Sequence, residues 1–159
     1  MKGYLPKSAE NFHAIPNARI AIIASMWHAD CVDAMVQRAH QELLAVDVAP
    51  QHIAIHRLPG AMELPYAARC LFETDSALDA IIAFGIVLKG QTTHDELVLQ
   101  AVVNGFSRVT ERFNKPIINE VIGVNCIDDA KRRADDSVHN KGLEAVFALT
   151  ELLHWKRQH

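Results

Sequence analysis

The chain is predicted to fold as a three-layer α/β/α sandwich built on a four-stranded parallel sheet. Two patterns predict this. Four short apolar runs, at 19–24, 52–58, 81–88 and 116–124, read as strands. Each is followed by a segment whose apolar residues recur at helical spacing. Strand and helix in strict alternation favour parallel strands joined by crossover helices that cover both faces of the sheet. The composition agrees: 159 residues, half of them hydrophobic and 22% charged, suit a single domain with a sizeable core. That domain is expected over 18–159. Residues 1–17, with Pro6 and Pro16 and no clear period, read as an extended N-terminal arm.

In chain order, the first strand runs over 19–24 and ends at Ser25. A helix follows over 28–46, with Val32, Met35, Val36, Ala39 and Leu43 on one face. The second strand, 52–58, is closed by Pro59-Gly60. The helix after it covers 61–71, and Pro65 falls in its first turn, where a missing N–H costs little. The third strand, 81–88, turns at Lys89-Gly90 into a helix marked by Leu97, Val98, Ala101, Val102, Phe106 and Val109. The fourth strand, 116–124, is interrupted by Asn119 and Glu120. A short charged helix over 127–136 and a final helix led by Asn140-Lys-Gly-Leu-Glu144 complete the chain.

Bulk properties exclude several classes of function. A formal charge of -3 gives no electrostatic reason to expect nucleic acid or an anionic membrane as partner. No apolar run approaches ~18 residues, so no transmembrane helix is expected, and the first residues lack the apolar stretch of a signal peptide. Cys31, Cys70 and Cys126 are odd in number and widely spaced, which fits reduced thiols in a cytoplasm. Nine histidines invite a metal reading, but no His-Glu-x-x-His or cysteine pairing supports one, and no metal is expected. A dinucleotide fingerprint, a P-loop and a Gly-x-Ser-x-Gly elbow are all absent.

The stretch from Gly85 to Val102 carries the most chemistry. It leaves a buried strand and enters a helix that Thr92 or Thr93 can cap, with Asp95 or Glu96 as the returning half of a capping box. Free N–H groups and the positive dipole end then seat an anion such as phosphate. His94 lies in the same turn and can accept a proton. Two other strand ends hold candidates, since open α/β sheets bind ligands there. Trp27 can stack on a flat heterocycle or pack its loop on the core. Glu63 can serve a ligand or only complement a helix dipole.

Three blocks in this sequence, Pro59-Gly-Ala-Met-Glu-Leu-Pro65, Gly85-Ile-Val-Leu-Lys-Gly-Gln-Thr-Thr-His94 and Asn140-Lys-Gly-Leu-Glu-Ala145, resemble the signature blocks of the lumazine synthase family. They stand in the family's order and spacing, and the resemblance runs from about Ala18 to the last helix. It implies a flavodoxin-like fold and a transferase of riboflavin biosynthesis. In that reaction 5-amino-6-ribitylamino-uracil condenses with 3,4-dihydroxy-2-butanone 4-phosphate, with loss of phosphate and water and no cofactor. By position, the resemblance implies stacking by Trp27 on the pyrimidine and a ribityl site at Ala61, Met62 and Glu63. Val87 and Leu88 would flank the ring, and Gln91 and Thr92 would bind phosphate through their backbone. His94 would be the general base, Arg133 the phosphate-binding arginine and Lys141 the lysine on the ring's carbonyl side.

The family places its active site between adjacent subunits of a pentamer, so Asn119 and Arg133 would serve a neighbour's Trp27 and His94. This chain departs from the common pattern in two places. Asn119 stands where many members carry an aromatic, and Trp27 replaces their phenylalanine, which reads as a compensating exchange. Residues 133–140 lack the glycine-rich linker of the shell-forming members, and Asp and Val resist backbone conformations that Gly permits. A homopentamer or a decamer of two pentamers is expected, not a sixty-subunit capsid. The departures look like the family's second type. A weakly active or non-catalytic lumazine- or flavin-binding paralogue is the alternative, against which His94, Arg133 and Glu63 argue together.

Overall fold

The computed structural model describes residues 12–159. The predicted arm therefore lies outside the described residues over 1–11. Its last part, 12–17, is docked on the fold. Ile15 is fully buried and donates its N–H to Val46 O at 2.9 Å. Phe12 packs on Phe147 at 5.4 Å between ring centroids, and His13 stacks on His154 at 3.7 Å.

The sheet has four parallel strands in the order β2-β1-β3-β4. They are β1 (Ile20–Ser25), β2 (Ile53–Leu58), β3 (Ala80–Leu88) and β4 (Ile117–Val124). The helices are α1 (Ala29–Ala45), α2 (Leu64–Thr74), α3 (His94–Phe113), α4 (Ile127–Ala134) and α5 (Lys141–Gln158). The three-layer fold read from the sequence is the one observed. β1 is buried along its whole length and β3 along most of it, as expected of central parallel strands covered on both faces.

The period of two along the strands divides the core into two layers. Ile20, Ile22, Ile82, Phe84 and Ile86 face α1, α4 and α5. Ala21, Ile23, Ile81, Ala83 and Val121 face α2 and α3. Full burial of each Ile, Phe or Leu contributes about 1.5–3 kcal/mol, so these layers dominate the stability. β2 is an edge strand with little cover, and Ile55 is exposed there. At β4 the alternation turns Asn119 toward the α3 side and Glu120 toward α5.

Several boundaries move for local reasons. Residues 50–52 form a 3-10 turn begun by Pro50, so the second strand starts at Ile53. Residues 61–63 form another 3-10 turn, after which α2 begins with a proline in its first turn as predicted and runs on to Thr74. α3 ends at Asn114, whose left-handed backbone (φ 50°) suits asparagine at such a stop. α4 ends at Ala134, two residues earlier than expected. There the backbone of Asp135 turns extended and its Oδ1 accepts from Ser137 N at 2.9 Å.

Candidate active site

The order β2-β1-β3-β4 places a switch point between β1 and β3. The connection from β1 runs outward on one face through α1, and that from β3 on the other through α3. Ligands bind outside the carboxyl ends of strands at such a point. An open cleft of about 360 Å³ lies there, lined by Trp27, Ala61, Met62, Glu63, Val87, Leu88 and His94, with His28, Gly60, Ile86 and Val98. Seven residues singled out in the sequence thus meet in one cleft.

Each is placed by the end of an element. Trp27 follows β1 and is 68% exposed, so its indole is not a core side chain of this chain. Next to it His28 holds φ 57°, a left-handed conformation that is costly for a residue with a Cβ. Its carbonyl nevertheless starts α1 by accepting from Cys31 N and Val32 N, both at 3.1 Å. Ala61, Met62 and Glu63 form the 3-10 turn after β2. A Cβ on Gly60 would lie 2.9 Å from Glu63 Oε2 and 3.7 Å from Trp27 Cδ1, so the bare glycine leaves the carboxylate and the indole room to converge. His28 and Gly60 are not among the site residues predicted from the sequence, although they stand beside Trp27 and Glu63 in the loops that close the first two strands.

Gln91 and Thr92 lie exposed in the loop between β3 and α3, and His94 is exposed in the first turn of α3. The predicted capping box is not formed. Thr93 is the N-cap, with ψ near 12° rather than in the extended region, and its side chain makes no capping bond. Asp95 Oδ1 instead accepts from Gly90 N at 3.4 Å, which folds the loop back on the helix start. The N–H groups of the first turn thus have no threonine cap, as an anion seat requires.

Arg133, Asn119 and Lys141 lie apart from this cleft. Arg133 lines a second opening of about 520 Å³ with Arg132, His139, Asp129 and Asp135, beyond the end of β4. On α4, Lys131 pairs with Asp128 at 3.4 Å and Arg132 pairs with Asp129. Three residues before Arg133 stands Ala130, and among the described residues Arg133 makes no ion pair; the buried Glu120 is a carboxylate whose charge it senses at longer range. Asn119 is exposed on edge strand β4, with its Oδ1 accepting from Val121 N at 3.0 Å.

Lys141 opens α5 from a fixed mount. Asn140 caps the helix, its Oδ1 accepting from Gly142 N at 2.8 Å. Its Nδ2 donates to Ala134 O and Asp135 O, at 3.1 and 2.7 Å, tying the end of α4 to the start of α5. Lys141 Nζ lies 2.8 Å from Glu144 Oε2 and 3.4 Å from Glu120 Oε2. Glu120 is only 8% exposed. Burial pushes its carboxyl up to about 7, against the pull of the Lys141 ammonium.

No helix among the described residues is long and apolar enough to cross a membrane, and no three His, Cys, Asp or Glu side chains there are grouped to hold a metal ion. A parallel α/β fold whose switch-point cleft gathers an imidazole, an indole and a carboxylate beside a helix start defines the class: an α/β protein built to take a small molecule at the carboxyl ends of its strands. The family description 6,7-dimethyl-8-ribityllumazine synthase matches residues 17–157. The 6,7-dimethyl-8-ribityllumazine synthase of Xanthomonas oryzae pv. oryzae is 38% identical over 139 residues, covering 87% of this chain and 90% of that one. That of Stenotrophomonas maltophilia is 38% identical over 143 residues, covering 89% and 91%. The chain belongs to the 6,7-dimethyl-8-ribityllumazine synthase family.

Proposed function

We propose that the chain condenses 5-amino-6-ribitylamino-uracil with 3,4-dihydroxy-2-butanone 4-phosphate to 6,7-dimethyl-8-ribityllumazine, the penultimate step of riboflavin biosynthesis. The convergence of Trp27, Glu63 and His94 at the switch-point cleft of a family member is the observation that carries this reading. The aryl amine attacks the ketone, so a proton leaves nitrogen and later carbon, and His94 shuttles both. Phosphate departs as an anion, received by the N–H groups of Gln91 and Thr92 and by the Arg133 guanidinium. Trp27 stacks on the pyrimidine between Val87 and Leu88, while residues 61–63 hold the ribityl chain. Much of the acceleration comes from holding two reactive molecules together.

Arg133, Asn119 and Lys141 are supplied by the adjacent subunit. Their separation from the cleft that holds His94 supports this, because one copy leaves phosphate and ring contacts incomplete. The assembly is a homopentamer or a decamer of two pentamers. Side-chain bonds brace the linker after α4, including His139 N to Ser137 Oγ at 3.2 Å, and no glycine loosens it. Light scattering should give the mass of five or ten copies; a megadalton particle would refute this. The location is cytoplasmic, in keeping with three free cysteines.

A steady-state assay with both substrates, following lumazine absorbance, tests the function. Turnover supports synthase activity; pyrimidine binding without product would instead mark a carrier. In the same assay Trp27→Ala should weaken pyrimidine affinity about 5- to 150-fold, since stacking on an aromatic contributes about 1–3 kcal/mol. Trp27→Phe should lose only about 2- to 5-fold. Neither should disturb the fold of the single chain, where the indole is exposed, so circular dichroism should stay that of wild type. Unchanged affinity in Trp27→Phe would remove the argument that tryptophan compensates for Asn119.

A further inference from the structure

We propose that Glu120 is a positioning residue that holds the Lys141 ammonium where it meets the pyrimidine's carbonyl side, so that ring affinity depends on a carboxylate that does not touch the ring. The proposal rests on the reading of Lys141 as a ring-binding lysine.

A lysine ammonium is a compact charge on a flexible stem, with three N–H donors. Glu144 accepts a hydrogen bond from one at 2.8 Å and Glu120 pairs with the charge at 3.4 Å, which leaves donor capacity for an acceptor such as a ring carbonyl. The two carboxylates are unlike. Glu144 stands three residues along the same helix, and such a pair alone restrains a lysine weakly. Glu120 comes from β4, so it fixes the ammonium relative to the sheet and not merely to its own helix. The Lys141 side chain is only 17% exposed, and its backbone is fixed by the Asn140 cap beside it.

A carboxylate in this position is otherwise hard to explain. Glu120 lies between Val121 and Asn119 on a strand whose α5-facing neighbours are Ile118 and Ile122, and its register partner on β3 is Phe84. Burying a charge among such residues is unfavourable unless it is paired. The charged groups that face it are Lys141 and Glu144 from α5 and Arg133 from α4; α3 covers the opposite face. Burial raises its carboxyl to about 7, so it is mostly protonated at pH 6 and mostly ionised at pH 8. Only the ionised form pairs with the ammonium, hence ring affinity should rise with pH across this window.

The test is the KM for 5-amino-6-ribitylamino-uracil at pH 6, 7 and 8, with the second substrate saturating, in wild type, Glu120→Gln, Glu120→Asp and Lys141→Ala. Wild-type KM should fall about 5- to 10-fold from pH 6 to 8, as the ionised fraction rises about tenfold and the protonated form keeps some residual affinity. Glu120→Gln should raise KM about 5- to 20-fold at pH 8 and flatten the profile, with Glu120→Asp recovering part of the loss. The KM for the phosphate substrate should stay within about twofold of wild type in all three. A KM and pH profile unchanged in Glu120→Gln, beside a Lys141→Ala that binds pyrimidine poorly, would overturn the positioning role while leaving Lys141 on the ring. Equal losses in both KM values, with a lowered melting temperature, would mark Glu120 as merely structural and overturn the proposal too. An unaffected Lys141→Ala would remove its foundation, and the ring assignment with it.

Discussion

Arg133→Ala is expected to lower kcat/KM for 3,4-dihydroxy-2-butanone 4-phosphate by about 10²–10³-fold, with pyrimidine affinity held within about twofold. The expectation follows from how α4 distributes its charges. Asp128 and Asp129 face Lys131 and Arg132 one turn on, whereas Ala130 stands in the corresponding place for Arg133. A guanidinium outside any contact ion pair binds an incoming dianion without first breaking one, and its planar fork matches phosphate oxygens two at a time. Removing a donor that stabilises developing charge costs about 2.7–4 kcal/mol, which sets the fold-loss. Arg133→Lys keeps the charge but not the fork and should recover only part of the rate. Arg132→Ala is the control, since that guanidinium is already engaged by Asp129, and it should change kcat/KM less than about threefold. Steady-state kinetics of the three variants decide the matter: equal losses at Arg132 and Arg133 would mean a diffuse positive field, not a phosphate ligand.

Arg133 also illustrates what is legible in a sequence. The i, i+3 spacing of Asp128 with Lys131 and of Asp129 with Arg132 is visible in the letters, as is the alanine three residues before Arg133; yet composition by itself shows only a short charged helix. The strands and the residues lining the cleft were legible for a similar reason. β1 and β3 are unbroken apolar runs, and Trp27, Glu63 and His94 lie just beyond the carboxyl ends of strands, where parallel sheets place ligands. What was not legible depended on contacts distant in sequence or on a backbone angle. Thr93 looks like a cap in composition and fails as one because of its ψ. Glu120 looks like a flaw in a strand until Lys141, from another element, is found beside it. His28 shows no sign in its letter of the left-handed turn that opens α1.

Gly142→Ala should destabilise the fold by about 3 kcal/mol or more, lowering the melting temperature by roughly 6–12 °C. A Cβ there would lie 2.2 Å from Met35 O, 2.7 Å from Ala39 N and 3.0 Å from Arg38 Cβ. Two of these are backbone atoms of α1 and have no rotamer into which to retreat. The start of α5 would have to lift from α1, and the buried Leu143, Ala145, Val146 and Leu149 would lose packing with it. Gly90 is the contrast: a Cβ there finds nothing nearer than 3.9 Å, so Gly90→Ala should melt within about 2 °C of wild type. The same displacement reaches the site, because Lys141 precedes Gly142 and Asn140 caps the helix through the Gly142 N–H. Gly142→Ala should therefore also weaken pyrimidine binding at temperatures where the variant is still folded. Thermal melts of both variants, read beside pyrimidine affinity at low temperature, separate the two effects. A Gly142→Ala protein as stable as wild type would mean that α1 and α5 do not approach as closely as described, and the mount proposed for Lys141 would go with that contact.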